Sequence, residues 1–149
     1  MKNDKIKVKS MDNLWILYGL GAALMYACMI LTYKKLLLMN INPLLLNLFV
    51  FIFVSIGFAA WVTISKTKIE LSGWMVLFLI AAAIFSLVGN SLEILSTKGA
   101  PNPGYATALK SGQVIIITLA AALIFKSDMT WYKIVGVATV IGGIVLISI

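Results

Sequence analysis

The stretch Gly89-Asn-Ser-Leu-Glu-Ile-Leu-Ser-Thr-Lys-Gly-Ala-Pro-Asn-Pro-Gly-Tyr-Ala-Thr-Ala-Leu-Lys-Ser-Gly-Gln113 decides the reading of this chain. Its centre, Lys98-Gly-Ala-Pro-Asn-Pro-Gly104, has the glycines and prolines of a tight turn that starts a new helix. Both flanking arms lie inside long apolar stretches, yet they carry Glu93 and Lys110, the only acidic and basic residues well inside such stretches. An ionisable side chain in hydrocarbon is costly and by default marks a functional site. Glu93 lies six residues before Gly99, and Lys110 lies seven after Pro103. At a helical rise of about 1.5 Å per residue, both groups sit roughly 10 Å below the turn. The spacing therefore permits an intramembrane Glu93–Lys110 pair across a helical hairpin.

Working outward from the hairpin, the 149 residues are 62% apolar, and the apolar residues fall in runs. A stretch of about 20 apolar residues is what a helix needs to cross a bilayer core. Five such runs cover residues 14–33, 43–64, 73–96, 103–125 and 131–149. The expected fold is all-α, a polytopic membrane bundle of five transmembrane helices. A soluble core explains any single run but not five in succession with short joints. Residues 1–13 read as a short basic tail at the membrane surface. The apolar run after this tail is too long for a signal-peptide core and lacks a small-residue cleavage site, so the first span is read as retained.

The net charge of +7 reflects twelve lysines, no arginine and five acidic residues; the lysines set the reading. They form no amphipathic or aromatic-interleaved basic face, which argues against nucleic acid as a partner. Most lie at the ends of the apolar runs, where they bear on orientation in the bilayer. With the tail cytoplasmic, that side holds Lys2, Lys5, Lys7, Lys9, Lys66, Lys68, Lys126 and Lys133. The other side holds Lys34, Lys35 and Lys98. The bias predicts a cytoplasmic N-terminus and an external C-terminus. Trp15, Trp61, Trp74 and Trp131 then all fall at cytoplasmic ends as interfacial anchors. Cys28 is the single cysteine and can form no intrachain disulfide. With no histidine and no cysteine cluster, no soft-metal site is expected, and no cofactor.

Polar residues within the spans follow helical periods. Ser86, Asn90, Glu93 and Thr97 recur at steps of four, three and four, so they share one face of the third span. Such a stripe lines either a polar seam or a water-filled cavity. On the fourth span Ala106, Lys110 and Gln113 share a face, with Thr107 and Ser111 beside it. Lys110 lies too deep for its stem to reach the outer surface easily, so it needs Glu93 or must lose its proton. In the first span Tyr26 is either a packed aromatic with a satisfied hydroxyl or a cavity-lining group. Asn47 and Ser55 share a face of the second span, and Asn47 is expected to point into the bundle. In the fifth, Gly136 and Gly143 are seven apart, and Ala138 and Gly142 make a small-xxx-small pair. That ridge serves either internal packing or a dimer seam.

The small-residue first span and Ala100-Pro-Asn-Pro-Gly-Tyr-Ala-Thr-Ala-Leu109 resemble one five-span half of a drug/metabolite transporter, the EamA-type repeat. Ala121-Ala-Leu-Ile-Phe-Lys-Ser-Asp-Met-Thr130 looks like that family's end of the fourth span, with Asp128 shifted by one place from its usual acid. Trp131-Tyr-Lys-Ile-Val-Gly-Val-Ala-Thr-Val-Ile-Gly-Gly-Ile-Val-Leu-Ile147 resembles its closing glycine-containing helix. The likeness covers residues 14–149, which then form one EamA-like domain. The last two spans also resemble the small multidrug resistance proteins. Those carry a membrane-embedded Glu in the first span, and no acid stands there in this chain, so proton/drug exchange is not implied.

The resemblance implies ten helices around a central cavity, so one copy of this chain supplies half. It implies a transporter of a small polar metabolite or organic ion, working by alternating access as a dimer at the midplane. Lys110 would bind an anionic group or be released from Glu93 by substrate, while Asn90, Gln113, Asn47 and Tyr26 would complete the binding site. Gly136, Ala138, Gly142 and Gly143 would form the dimer interface. The partners expected are the lipid bilayer, a small-molecule substrate, and either a second copy or an oppositely oriented subunit. The lysine bias sits poorly with an antiparallel homodimer. A parallel dimer, a separate partner and an insufficient bias all remain open. The alternative function is a non-transporting interaction subunit or an obligate half of a heteromeric transporter, and the alternative role for Glu93–Lys110 is purely structural. An enzyme is not expected, because no nucleophile–base–orienter set accompanies the pair. The plasma membrane is the expected location, with an organelle membrane as the alternative.

Overall fold

A computed structural model describes residues 14–127 and 130–148, the side chain of Ser148 excepted. The basic tail with Lys2, Lys5, Lys7 and Lys9 lies outside the described residues, as do Asp128, Met129 and Ile149. The described chain is helical, with no strand. Its helices are α1 (Leu14–Leu38), α2 (Pro43–Ile64), α3 (Gly73–Gly99), α4 (Pro103–Lys110), α5 (Gln113–Ile124) and α6 (Trp131–Ser148). The first three, and α4 with α5 taken together, are long and apolar enough to cross a bilayer. A shorter apolar helix, Trp131–Ile147, comes last. The arrangement fits about five spans.

Three boundaries differ from the apolar runs. The first helix continues through Lys34 and Lys35 to Leu38, and the third through Lys98 to Gly99. Charged residues end an apolar run without ending a helix, since lysine is a good helix former. The fourth run is not one regular helix but tightens at Ser111 and Gly112, between α4 and α5.

Local chemistry sets the ends. An Asn-Pro pair opens both α2 and α4. Asn42 Oδ1 accepts the Leu44 amide at 2.8 Å, and Asn102 Oδ1 accepts the Gly104 amide at 2.8 Å. Each asparagine satisfies an orphan donor of the first turn, and the adjoining proline has no amide hydrogen to satisfy. Three helices are closed by a residue at positive φ: Asn40 after α1, Lys66 after α2 and Lys126 after α5. In each case the next amide reaches back across the turn: Ile41 to Leu36, Thr67 to Val62, and Ser127 to Ala121. This left-handed closure satisfies carbonyls that the helix end leaves free.

Close packing is concentrated at the end bearing the α1–α2 and α3–α4 turns. Ile30, Tyr33 and Leu37 of α1 meet Leu46 of α2 and Ile94 of α3, with Ala106 of α4 also buried. Away from this end, the large apolar side chains of α1, α2 and α3 lie exposed on the single chain, a surface suited to lipid tails. Lys34 ties the packed end together. Its ammonium donates to the carbonyl oxygens of Thr97 at 3.1 Å, Lys98 at 3.3 Å and Ala100 at 2.8 Å. Three N–H groups thus meet three carbonyls at the negative end of the α3 dipole.

Lys34→Met keeps most of the stem and removes these bonds, so it is expected to lower stability by about 1–3 kcal/mol. Unfolding of the purified chain in detergent micelles measures this. An unchanged midpoint would mean the cap contributes nothing.

Candidate functional site

The polar stripe of α3 faces the bundle. Ser86, Asn90 and Glu93 are partly buried, and Thr97 is 1% exposed. Helical spacing then brings Glu93 opposite Lys110, the last residue of α4. Lys110 Nζ donates to Glu93 Oε1 at 2.6 Å. Glu93 is well shielded, with its side chain 10% exposed, whereas that of Lys110 is 41% exposed. The ammonium also lies 5.9 Å from the centre of the Tyr26 ring on α1. That distance is within the range, about 6 Å, over which a ring face attracts a cation.

Two open cavities flank this pair. One, of about 440 Å³, is bounded by Phe85, Ser86, Leu92, Ala106 and Leu109. The other, of about 610 Å³, is bounded by Ala23, Tyr26, Ile30, Thr107 and Ser111. Asn90, Glu93, Lys110 and Gln113 line both. Each volume falls within the range of small-molecule sites, roughly 300–1,000 Å³. Asn90 donates to the Ser86 carbonyl at 2.7 Å and to Ser86 Oγ at 3.0 Å. Its amide nitrogen is therefore engaged on its own helix, which leaves the oxygen as the end offered to a ligand.

Below Lys110 the helical ladder changes step. Gly112 donates to Leu109, Val114 to Ser111, and Ile115 to Gly112, all between residues three apart. Such a 3₁₀ step inside a span often marks a functional hinge. Gly112 has ordinary helical angles, so its need is for space. An added Cβ would lie 3.2 Å from the Leu109 carbonyl oxygen and 3.5 Å from Ile144 Cδ1 of α6.

Tyr26, Asn90, Glu93, Lys110 and Gln113 are thus brought together. Asn47 is not. It is buried, as its position on α2 suggests, but it lines a separate cleft of about 340 Å³ with Asn42, Ser91, Leu95 and Lys98. Its Oδ1 finds no hydrogen-bond partner there. Ser55, on the same helix face, is exposed. The small residues of α6 also divide. Ala138 borders an apolar groove against α5, while an added Cβ at Gly136, Gly142 or Gly143 would meet nothing within 4 Å. Those glycines take no part in close packing within the described chain. Sequence reasoning missed the Lys34 cap and the step at Ser111–Gly112. For the step, the Ser-Gly pair was the available signal.

Glu93→Gln and Lys110→Met should each destabilise the chain, and the double variant should recover part of the loss. The expected coupling is about 0.5–3 kcal/mol. A double-variant cycle of unfolding midpoints reads it, and additive effects would remove the pair as a linked unit.

The profile of the EamA-like transporter family matches residues 13–149. No curated protein and no solved structure matches the chain. With several helices of membrane-spanning length and a match over nearly its whole length, this chain belongs to the EamA-like transporter family, whose members are integral membrane transporters and not enzymes.

Proposed function

We propose that the chain moves a small polar metabolite or organic ion across the plasma membrane by alternating access, with substrate held beside Glu93 and Lys110. The observation that carries this is the ion pair standing between two cavities, on helices of membrane-spanning length in a transporter family. Here Asn90 and Gln113 reach both cavities beside it, and Lys110 is accessible. Substrate binds where polar groups converge in an otherwise apolar wall.

A second protomer completes the enclosure. The Lys110 side chain is 41% exposed on one chain, and in a membrane such a charge faces protein or water rather than lipid. The open Gly136, Gly142 and Gly143 of α6 offer a surface for close helix approach. The lysine distribution supports a cytoplasmic N-terminus and an external C-terminus. That same bias favours one insertion direction, and so supports a second reading in which the partner is a different, oppositely oriented subunit.

In a Cys28→Ser background, Gln113→Cys should react with a membrane-impermeant maleimide from one face of sealed vesicles and be shielded from the other. Equal inertness from both faces would sink the cavity as a transport site. Gly143→Cys in the same background should give a disulfide-linked pair of identical chains. If the chain instead purifies in fixed ratio with an unrelated membrane subunit and forms no such pair, the heteromeric reading takes over.

A further inference from the structure

The cleft that holds Asn47 lies apart from the Glu93–Lys110 cavities and has a different electrical character. It offers about 340 Å³ between the first turns of α2 and the last turns of α3. Among the described residues, Lys98 is the only charged side chain lining it, and no carboxylate stands within ion-pair distance of Lys98. The start of α2 adds a second positive element. Asn42, Pro43 and Leu44 border the same space, the first turn carries no acid, and a helix start holds partial positive charge. The cleft is therefore positive, whereas the cavities beside Glu93 hold one charge of each sign.

Asn47 points to an occupant. It is 8% exposed, it lines the cleft, and its Oδ1 has no hydrogen-bond partner. A shielded acceptor without a donor is costly, and native structures keep few of them. The hydroxyl of Ser91 on the same wall is already engaged, donating to the Leu87 carbonyl at 2.7 Å. The missing donor has to come from outside the chain. The setting restricts its source. Lys98 stands one residue before the end of α3 and Pro43 opens α2, so the mouth of the cleft lies where the spans reach the lipid headgroups. Leu44 and Leu95, both exposed, continue its wall as an apolar flank. A positive, polar mouth beside an apolar flank matches an amphiphile better than a soluble ion.

We propose that this cleft seats one anionic phospholipid with a hydroxyl-bearing headgroup, of which phosphatidylglycerol is the simplest. The phosphate lies against the Lys98 ammonium and the start of α2. A headgroup hydroxyl donates to Asn47 Oδ1, and an acyl chain follows Leu44 and Leu95. The terminal torsion of an asparagine is broad, so the amide oxygen can turn to meet a donor arriving through the cleft. Bound there, the lipid bridges α2 and α3 at the packed end, and stability of the bundle depends on headgroup chemistry.

The test is the unfolding temperature of the purified wild-type chain in neutral detergent micelles, with one addition at a time. Dioleoyl-phosphatidylglycerol is compared with dioleoyl-phosphatidylmethanol, which has the same charge and no headgroup hydroxyl. Dioleoyl-phosphatidylcholine has no net charge, and glycerol phosphate supplies phosphate and hydroxyls without acyl chains. Phosphatidylglycerol is expected to stabilise at the lowest concentration, because selective binding to the folded state raises stability. Phosphatidylmethanol should need about fivefold more, for want of one hydrogen bond. The other two should have no effect. Lys98→Met should weaken both anionic lipids about fivefold, whereas Lys68→Met, which removes a charge from the opposite end, should weaken neither. Asn47→Leu should fold at least as well without lipid, since it removes an unpartnered acceptor, and should erase the preference for phosphatidylglycerol over phosphatidylmethanol. If phosphatidylcholine matches phosphatidylglycerol, if no lipid acts, or if Lys68→Met matches Lys98→Met, the site falls. If glycerol phosphate acts as well as the lipid, the occupant is a soluble phosphate and the lipid assignment falls. A preference that is missing in wild type, or that survives Asn47→Leu, would overturn the Asn47 contact. The lipid comparisons within the wild-type chain need no variant to fold.

Discussion

Hydrocarbon gives a charge no solvent, and the Glu93–Lys110 contact is this chain's answer to that constraint. Each residue alone would be a heavy liability in a span. Together, at 2.6 Å, they make a neutral group. Their meeting requires that α3 and α4 run side by side from a short turn, which the Pro101 and Pro103 region supplies. It also requires the polar face of α3 to turn inward, which then carries Ser86 and Asn90 to the same wall. The cavities result from this arrangement, because a wall containing amides and an ion pair does not close over as tightly as one of interlocking aliphatic side chains.

The packed end and the open flanks have separate physical origins. Between helices in lipid there is little hydrophobic drive, and association rests on van der Waals fit and hydrogen bonds. Ile94 and Leu46 supply the fit, both almost completely buried. Lys34 supplies the hydrogen bonds, tying α1 to the end of α3. Where neither device operates, along residues 14–22 of α1 and most of α2, the side chains are left to the surroundings. The chain is thus firmly joined near the two Asn-Pro turns and sparsely joined elsewhere.

Much of this was legible in the sequence. Apolar run length identified the spans, and a helical period of polar residues on α3, read with Lys110 across the turn, located the pair. These signals are local or nearly so, and rest on a 3.6-residue repeat and a tight turn. What escaped depends on distant partners. Asn47 is polar and inward-facing, as expected, but the rotation of α2 against α3 places it in another cleft, and a single helix's pattern does not encode that rotation. Lys34 reads as a surface charge until the carbonyls of Thr97, Lys98 and Ala100 are seen beside it. The step at Ser111–Gly112 combines a weak local preference with the approach of Ile144 from α6, and only the first of these is written nearby.

The reach of Lys34 also bears on how the chain is built. Its acceptors lie 63 to 66 positions further along, so they do not exist when the first helix leaves the ribosome. Until residue 100 has been added, α1 must wait in the bilayer with its ammonium held by water or lipid headgroups at the interface. The same delay applies to Ile30, Tyr33 and Leu37, whose contact with Ile94 also lies in the third helix. The contacts of α1 with Leu46 of α2 can form earlier, so the packed end closes in two stages, first α1 with α2 and then both against α3.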